Sequence, residues 1–225
     1  MAADNENHDL PLPDLDFLRV FMPYELRLAQ RRAMMGKKDP RNVLTSTFVG
    51  LYLVRLQSVS GDWFPSSIEG GNQIGIHVTS LLREAMRDSD IPFKLADDEH
   101  LVVLRDIDPP HAYVVAQRFL TLAGRSDLLK AAGLRTRVGY VIYPLSTQPN
   151  FPVDEWETLI ELARIMSDKG DRTGPASGYG VLRGPQMENA NIPETDLVPL
   201  AFQDTDSLVK AGLLQLQRIH LLPGI

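Results

Sequence analysis

The chain has no cysteine in its 225 residues. That absence removes disulfides, thiolate metal sites and cysteine nucleophiles together, and it agrees with a reducing compartment. No stretch approaches the roughly 18 consecutive apolar residues that span a bilayer. The N-terminal MAADNENHDLPLPD lacks the basic-then-apolar pattern of a secretory signal. Positive charge is also in short supply. A net charge of −6 argues against a general binder of nucleic acid or anionic membrane, while leaving room for a small anionic ligand in a local basic pocket. A soluble, cytoplasmic protein without membrane insertion is expected. What is present is ordinary: 44% hydrophobic and 23% charged residues, in a length that buries a full core without staples.

Residues 1–13 read as a disordered lead-in. From Asp14 to Met35, Leu15, Leu18, Phe21, Met22, Leu26 and Ala29 recur at helical spacing, and Pro23 is expected to kink or split that helix. Arg27, Arg31 and Arg32 in its back half read as a solvated face. GKKDPRN (36–42) is a loop by composition. FVGLYLVRL (48–56) reads as a buried strand, and Gln73–Met86 as a helix after the polar stretch SGDWFPSSIEGGN. Two strand-like arms, Ile91–Leu95 and His100–Arg105, flank a bend. Asp108-Pro109-Pro110 signals the start of a helix that runs through Ala112–Ala123. Leu134–Tyr143 is a strand, Val153–Lys169 a helix and Gly178–Leu182 a short strand. A linker rich in Pro and Asn leads to an expected last helix, Thr205–His220, with Leu208, Val209, Leu213, Leu216 and Ile219 on one face. The order predicts an α+β sandwich of ferredoxin-like type, a mostly antiparallel sheet flanked by helices, with helical extensions at both ends.

The bend carries Asp97-Asp98-Glu99. Three adjacent carboxylates repel one another and ask for a cation nearby. Arg87-x-x-Asp90 lies upstream, followed by five residues and then Ala96-Asp97-Asp98-Glu99-His100. This spacing resembles the GGDEF domain of diguanylate cyclases, in which Arg-x-x-Asp precedes Gly-Gly-Asp/Glu-Glu-Phe by the same interval. LVVL (101–104), TRVGYVIYP (136–144) and LIELARIMSDKGDRTG (159–174) are similar to later family segments, so the likeness covers about residues 45–183. Residues 14–44 then form an N-terminal helix and loop, and 184–225 a C-terminal linker and helix. A second Arg-x-x-Asp, Arg105/Asp108, lacks the offset to the bend.

The resemblance also defines departures. Ala96 and Asp97 stand where the family has glycines that let its backbone approach a nucleotide. His100 replaces phenylalanine. Arg55 falls where the family supplies a magnesium-binding aspartate, which puts a cation in place of a cation's ligand. Its expected partner is Asp98 or Glu99, in a salt bridge replacing the metal site. The guanine-recognition positions near Trp63 and Asn72 do not match, nor does the turn before the first strand. The resemblance implies no cyclase activity, no catalytic residue, no metal and no cofactor.

What it retains is the family's product-binding site. Arg87 and Asp90, with Arg118 in the same register, are the implied cyclic di-GMP ligands. Arginine offers a planar fork to guanine N7/O6 or phosphate, and aspartate accepts from guanine nitrogen donors. The residue types equally suit a plain helix end. Two readings remain: a catalytically inactive cyclic di-GMP receptor of bacterial signalling that acts through an unidentified protein partner or a homodimer, and a pseudo-enzyme scaffold that binds no nucleotide. Residual GTP binding or turnover at the bend is a third. His8, His77, His100, His111 and His220 lack metal-ligand spacing. Gly70-Gly71 lacks the context of a phosphate loop. Trp63 and Trp156 read as packing residues.

Overall fold

The computed structural model describes residues 12–36, 48–60, 71–105, 107–144, 156–170, 176–187, 190, 192 and 194–221. Most of the lead-in, the GKKDPRN loop after Gly36, most of the stretch around Trp63 and Gly70, His8 and the Pro-Val-Asp-Glu opening of the helix after residue 150 lie outside the described residues.

In chain order the elements are α1 (Leu15–Gly36), β1 (Phe48–Ser58), α2 (Gly71–Ala85), β2 (Ile91–Ala96), β3 (Glu99–Leu104), α3 (Pro109–Arg125) and α4 (Asp127–Ala131). They continue with β4 (Leu134–Pro144), α5 (Trp156–Asp168), β5 (Ala176–Arg183), α6 (Glu194–Lys210) and β6 (Leu214–Ile219). The strands form one sheet in the order β2-β3-β1-β4-β5-β6. Every neighbouring pair is antiparallel except β4–β5. A parallel pair needs a crossover, and α5 supplies it.

Side-chain alternation sorts the core into two layers. On β1, Leu51 and Leu53 face α1, α5 and α6, joining Leu18, Met22, Leu26, Leu159, Ala163, Leu197 and Ala201. Tyr52, Val54 and Leu56 face the other way, toward Val78, Leu82, Ala116, Phe119 and Leu120 of α2 and α3. Burial on both faces explains why FVGLYLVRL is nearly continuous in apolar residues. Gly139 lets α5 lie directly on β4: a methyl there would sit 1.9 Å from the Ala163 carbonyl oxygen. The predicted start of α3 holds in detail. Asp108 caps it by accepting from the His111 amide at 2.9 Å, with Pro109 and Pro110 in the first turn.

Three expectations are corrected. α1 runs unbroken through Pro23. Leu18, Met22 and Leu26, all fully buried, hold the turns on both sides of the proline against the sheet. The expected helix over Thr205–His220 is half helix and half strand. α6 covers Glu194–Lys210 but is broken at Asp204, whose backbone is non-helical and whose carboxylate accepts from the Ser207 amide, so the run from Thr205 begins where expected and ends early, at Lys210. Gly212 takes a positive φ of 71°, and β6 then pairs antiparallel with β5. The segment LQLQRI alternates at period two, and the open edge of β5 decides between that period and the helical one. The C-terminal extension is therefore a helix plus an edge strand. Finally, α4 went unforeseen, a single turn capped by Ser126.

Candidate functional site

The acidic bend joins β2 to β3, and β3 lies beside β1 with Glu99 directly opposite Arg55. Their shared position across the ladder explains their contact: Arg55 Nε is 3.3 Å from Glu99 Oε2. Arg55 Nη1 also donates to Asp168 at the end of α5, at 2.7 Å. A second guanidinium, that of Arg164 on α5, grips Glu99 from the helix side, with Nη2 at 2.6 Å and Nε at 3.0 Å from Oε1. The Glu99 hydrogen bonds hold the Arg164 guanidinium in its charged form, above its usual range. Arg164 also binds Glu161. Both oxygens of Glu99 are thus enclosed by guanidinium groups.

The three carboxylates of the bend do not share one cation. Asp97 points out to Lys94, at 2.7 Å, and that hydrogen bond holds its carboxyl below the usual range. Glu99 turns inward to Arg55 and Arg164. Asp98 is half-buried, and burial raises its carboxyl, with Glu99 adding to the effect and Arg55 opposing it. The backbone carbonyl of Asp98 also accepts from the Leu56 amide, at 2.9 Å, which locks the bend onto the end of β1. Of the two partners expected for Arg55, Glu99 is the one in ion-pair contact. Ala96 ends β2 at a register shift between Lys94 and Ala96. Among the described residues no group of three His, Asp or Glu side chains is placed to hold a metal ion. The donor set at the bend, with its inward carboxylate closed by two arginines, does not fit magnesium.

His100 lies fully buried on the opposite face of β3. Neither ring nitrogen has a hydrogen-bond partner among the described residues. Burial, with Lys94 nearby, pushes the imidazole down to about 4. The ring is a neutral filler in the place of an apolar side chain.

The Arg87–Asp90 turn follows α2. Asp90 is 4% exposed and its carboxylate accepts from two backbone amides, Arg87 at 3.0 Å and Arg105 at 3.4 Å. Burial raises its carboxyl and those two amides oppose the rise. Arg105 reaches in turn to the buried Glu25 of α1, at 2.6 Å. The Arg87 side chain is exposed, as is Arg118 on α3.

α2 and α3 run antiparallel, and His77 Nε2 in the middle of α2 lies 2.7 Å from Ser126 Oγ at the end of α3. Eight residues on from His77 lies Ala85, and eight residues back from Ser126 lies Arg118. At the helical rise of about 1.5 Å the two are level, so Arg118 stands close to the height of the Arg87 turn. Gln117 and Tyr113 bond to His220 on the β6 side of α3, and helical periodicity puts Arg118 on the other flank, toward α2.

Sequence reasoning missed Arg164 and Asp168. Their segment, LIELARIMSDKGDRTG, reads as a helix similar to a later family segment, and nothing in that likeness reports that α5 lays two charged residues over the bend. Buried Arg137, opposite Arg55 on β4 and bonded to Gln57 and Ser177, was missed for the same reason. Trp156 is buried in the core, as read.

No protein-family model matches the sequence, and no curated protein matches it. Solved structures do. The GGDEF domain of FimX from Pseudomonas aeruginosa is 16% identical, over 73% of this chain and 92% of that one, with a TM-score of 0.52. The GGDEF domain of PA1120 (YfiN or TpbB) from the same organism is 14% identical over 73% and 96%, at 0.49. The GGDEF domain of DgcB from Caulobacter crescentus, solved in complex with c-di-GMP, is 11% identical over 73% and 91%, at 0.47. The similarity to the FimX domain shows the fold, and this chain has the architecture of a GGDEF domain: a mixed six-stranded sheet flanked by helices.

Proposed function

We propose that the chain is a catalytically silent GGDEF-like domain that receives cyclic di-GMP at Arg87 and Arg118 and passes the signal on through protein contacts. The observation that carries this reading is the contrast in what the two arginine sites have left to offer. At the bend, the Glu99 carboxylate is closed by Arg55 and Arg164. A metal-bound triphosphate would have to displace two guanidiniums from a nearly buried acid, and breaking such a pair is costly. At the turn, the Asp90 carboxylate is occupied by backbone amides and the Arg87 guanidinium is presented outward.

Asp90 is on this reading a positioning residue. It fixes the backbone from which Arg87 projects, and it does so from a buried place. Arg87 and Arg118 are the groups that touch the ligand, through bidentate contacts to phosphate or to guanine N7/O6.

Calorimetric titration of cyclic di-GMP into the wild-type chain and into Arg87→Ala tests the proposal. Binding in the micromolar range that is lost in the variant, with thermal stability unchanged, supports it. No heat from the wild type at millimolar ligand rejects it in favour of a nucleotide-independent scaffold. Incubation with GTP and Mg²⁺ tests catalytic silence separately, and formation of product refutes it.

A further inference from the structure

The second Arg-x-x-Asp, Arg105/Asp108, has no place at the bend, yet it joins three elements. The Arg105 amide donates to the Asp90 carboxylate at 3.4 Å, beside the Arg87 amide at 3.0 Å. The Arg105 guanidinium reaches the other way, to Glu25 of α1, with Nε 2.6 Å from Oε1. Asp108 caps α3, the helix that carries Arg118. The turn that presents Arg87 is thus fastened to α1 through one residue.

Glu25 is out of place for an acid. α1 is seated on the sheet by Leu18, Met22 and Leu26, all fully buried, and by Phe21 against Phe93. Among the described residues of α1, only Glu25 is both charged and buried. Its side chain is 5% exposed, and its ion-pair partner Arg105 is 26% exposed. An apolar side chain of similar size would serve the packing of α1 at least as well, because a buried ion pair rarely outdoes one. Packing therefore does not account for the carboxylate. What it adds is a fixed direction for the Arg105 side chain. That direction matters, because Arg105 lies one residue beyond Leu104, the last residue of β3 in register with a neighbouring strand. No strand ladder fixes its amide, and its bond to Asp90 is the longer and weaker of the two.

We propose that Glu25, acting through Arg105, is a positioning residue for the nucleotide site: it holds the amide that orients Asp90, and with it the turn from which Arg87 projects. The inference rests on the reading of Arg87 as a nucleotide contact and adds α1 to that site. Linkage is reciprocal. Whatever draws Glu25 from Arg105 weakens nucleotide binding, and bound nucleotide tightens the Arg105–Glu25 tie by the same factor. α1 is then the element through which the bound state is passed on.

Glu25 is the residue to change, because removing Arg105 would leave a buried charge unpaired, whereas removing Glu25 leaves a guanidinium that reaches water. Glu25→Leu keeps the seat of α1 apolar and removes the acceptor. Glu25→Gln keeps an oxygen for Arg105 Nε. Cyclic di-GMP is titrated into the full chain by calorimetry, and amide hydrogen exchange is followed by NMR without nucleotide. Glu25→Leu is expected to weaken binding about tenfold, a factor usual for coupled sites, with the thermal midpoint at or above that of the wild type. Glu25→Gln restores most of the affinity. Without nucleotide, the Arg105 amide exchanges at least about fivefold faster in Glu25→Leu than in the wild type, while the Leu18 and Met22 amides exchange alike in both. A merely structural Glu25 predicts that Glu25→Leu binds as the wild type does. That result, or an Arg105 amide indifferent to the variant, overturns the proposal. A wild type that gives no heat overturns it too, and exchange at Arg105 that still answers to Glu25→Leu then traces the failure to the role of Arg87 and not to the tie.

Discussion

Two places in this molecule set an arginine beside aspartate or glutamate at the end of a strand, and they resolve the pairing in opposite ways. At the β2–β3 bend the carboxylate of Glu99 takes two guanidiniums, and the cationic groups there are spent on the protein itself. At the turn before β2 the carboxylate of Asp90 takes backbone amides, so the guanidinium of Arg87 remains outside. The lesson concerns bookkeeping of lone pairs more than residue identity. An Arg–Asp pair in the sequence does not reveal whether the acid has satisfied the arginine or merely holds its backbone.

The contrast is broken most severely from the bend. Glu99→Ala leaves Arg55 and Arg164 facing each other without the acid between them, Arg55 only 15% exposed at its side chain. Removing one partner of a largely buried pair costs about 3 kcal/mol, measured by urea denaturation. A loss below about 1 kcal/mol would mean the cluster behaves as a solvated surface pair.

The next effect belongs to His100. Its folded-state value of about 4 lies below the ordinary 6.5. The unfolded chain therefore binds more protons between those values, and stability falls as pH drops through that window. From about pH 7.5 to about pH 5 the contribution is roughly 2 kcal/mol. His100→Phe removes that dependence and fills the same space with a ring that needs no partner. Asp90 and Asp98, whose carboxyls are raised by burial, act in the opposite sense at lower pH. Paired denaturation curves at the two pH values check the sign.

At the turn, Asp90→Asn weakens two backbone contacts and costs about 1–2 kcal/mol of stability. Arg87→Ala leaves stability within about 0.5 kcal/mol of wild type while removing nucleotide affinity. A variant pair showing the reverse would exchange the roles of positioning and contact assigned to these two residues. The smallest effect is expected at the rim of the bend. Lys94→Ala breaks the exposed pair with Asp97, and denaturation should register less than about 0.5 kcal/mol.

Much of the fold was legible in the sequence. The hairpin, the capped start of α3 and the buried strand β1 each announce themselves through local pattern, and each is where it was expected. The last segment was not legible, because Leu213, Leu216 and Ile219 fit a helical face while LQLQRI also fits a strand. Only the free edge of β5 settles the choice. Half of the bend site was legible too. The partnership of Arg55 with Glu99 follows from strand order and register. The contributions of Arg164 and Asp168 arise from where α5 lies across the sheet, a tertiary fact with no local signature.

The central claim is that the arginine at the turn is available to a nucleotide and the site at the bend is not. The most direct measurement titrates one preparation of the chain with cyclic di-GMP and, separately, with GTP and Mg²⁺. Saturable heat with cyclic di-GMP and none with GTP is the predicted result. Saturable binding of GTP with Mg²⁺, or silence toward cyclic di-GMP, would contradict it.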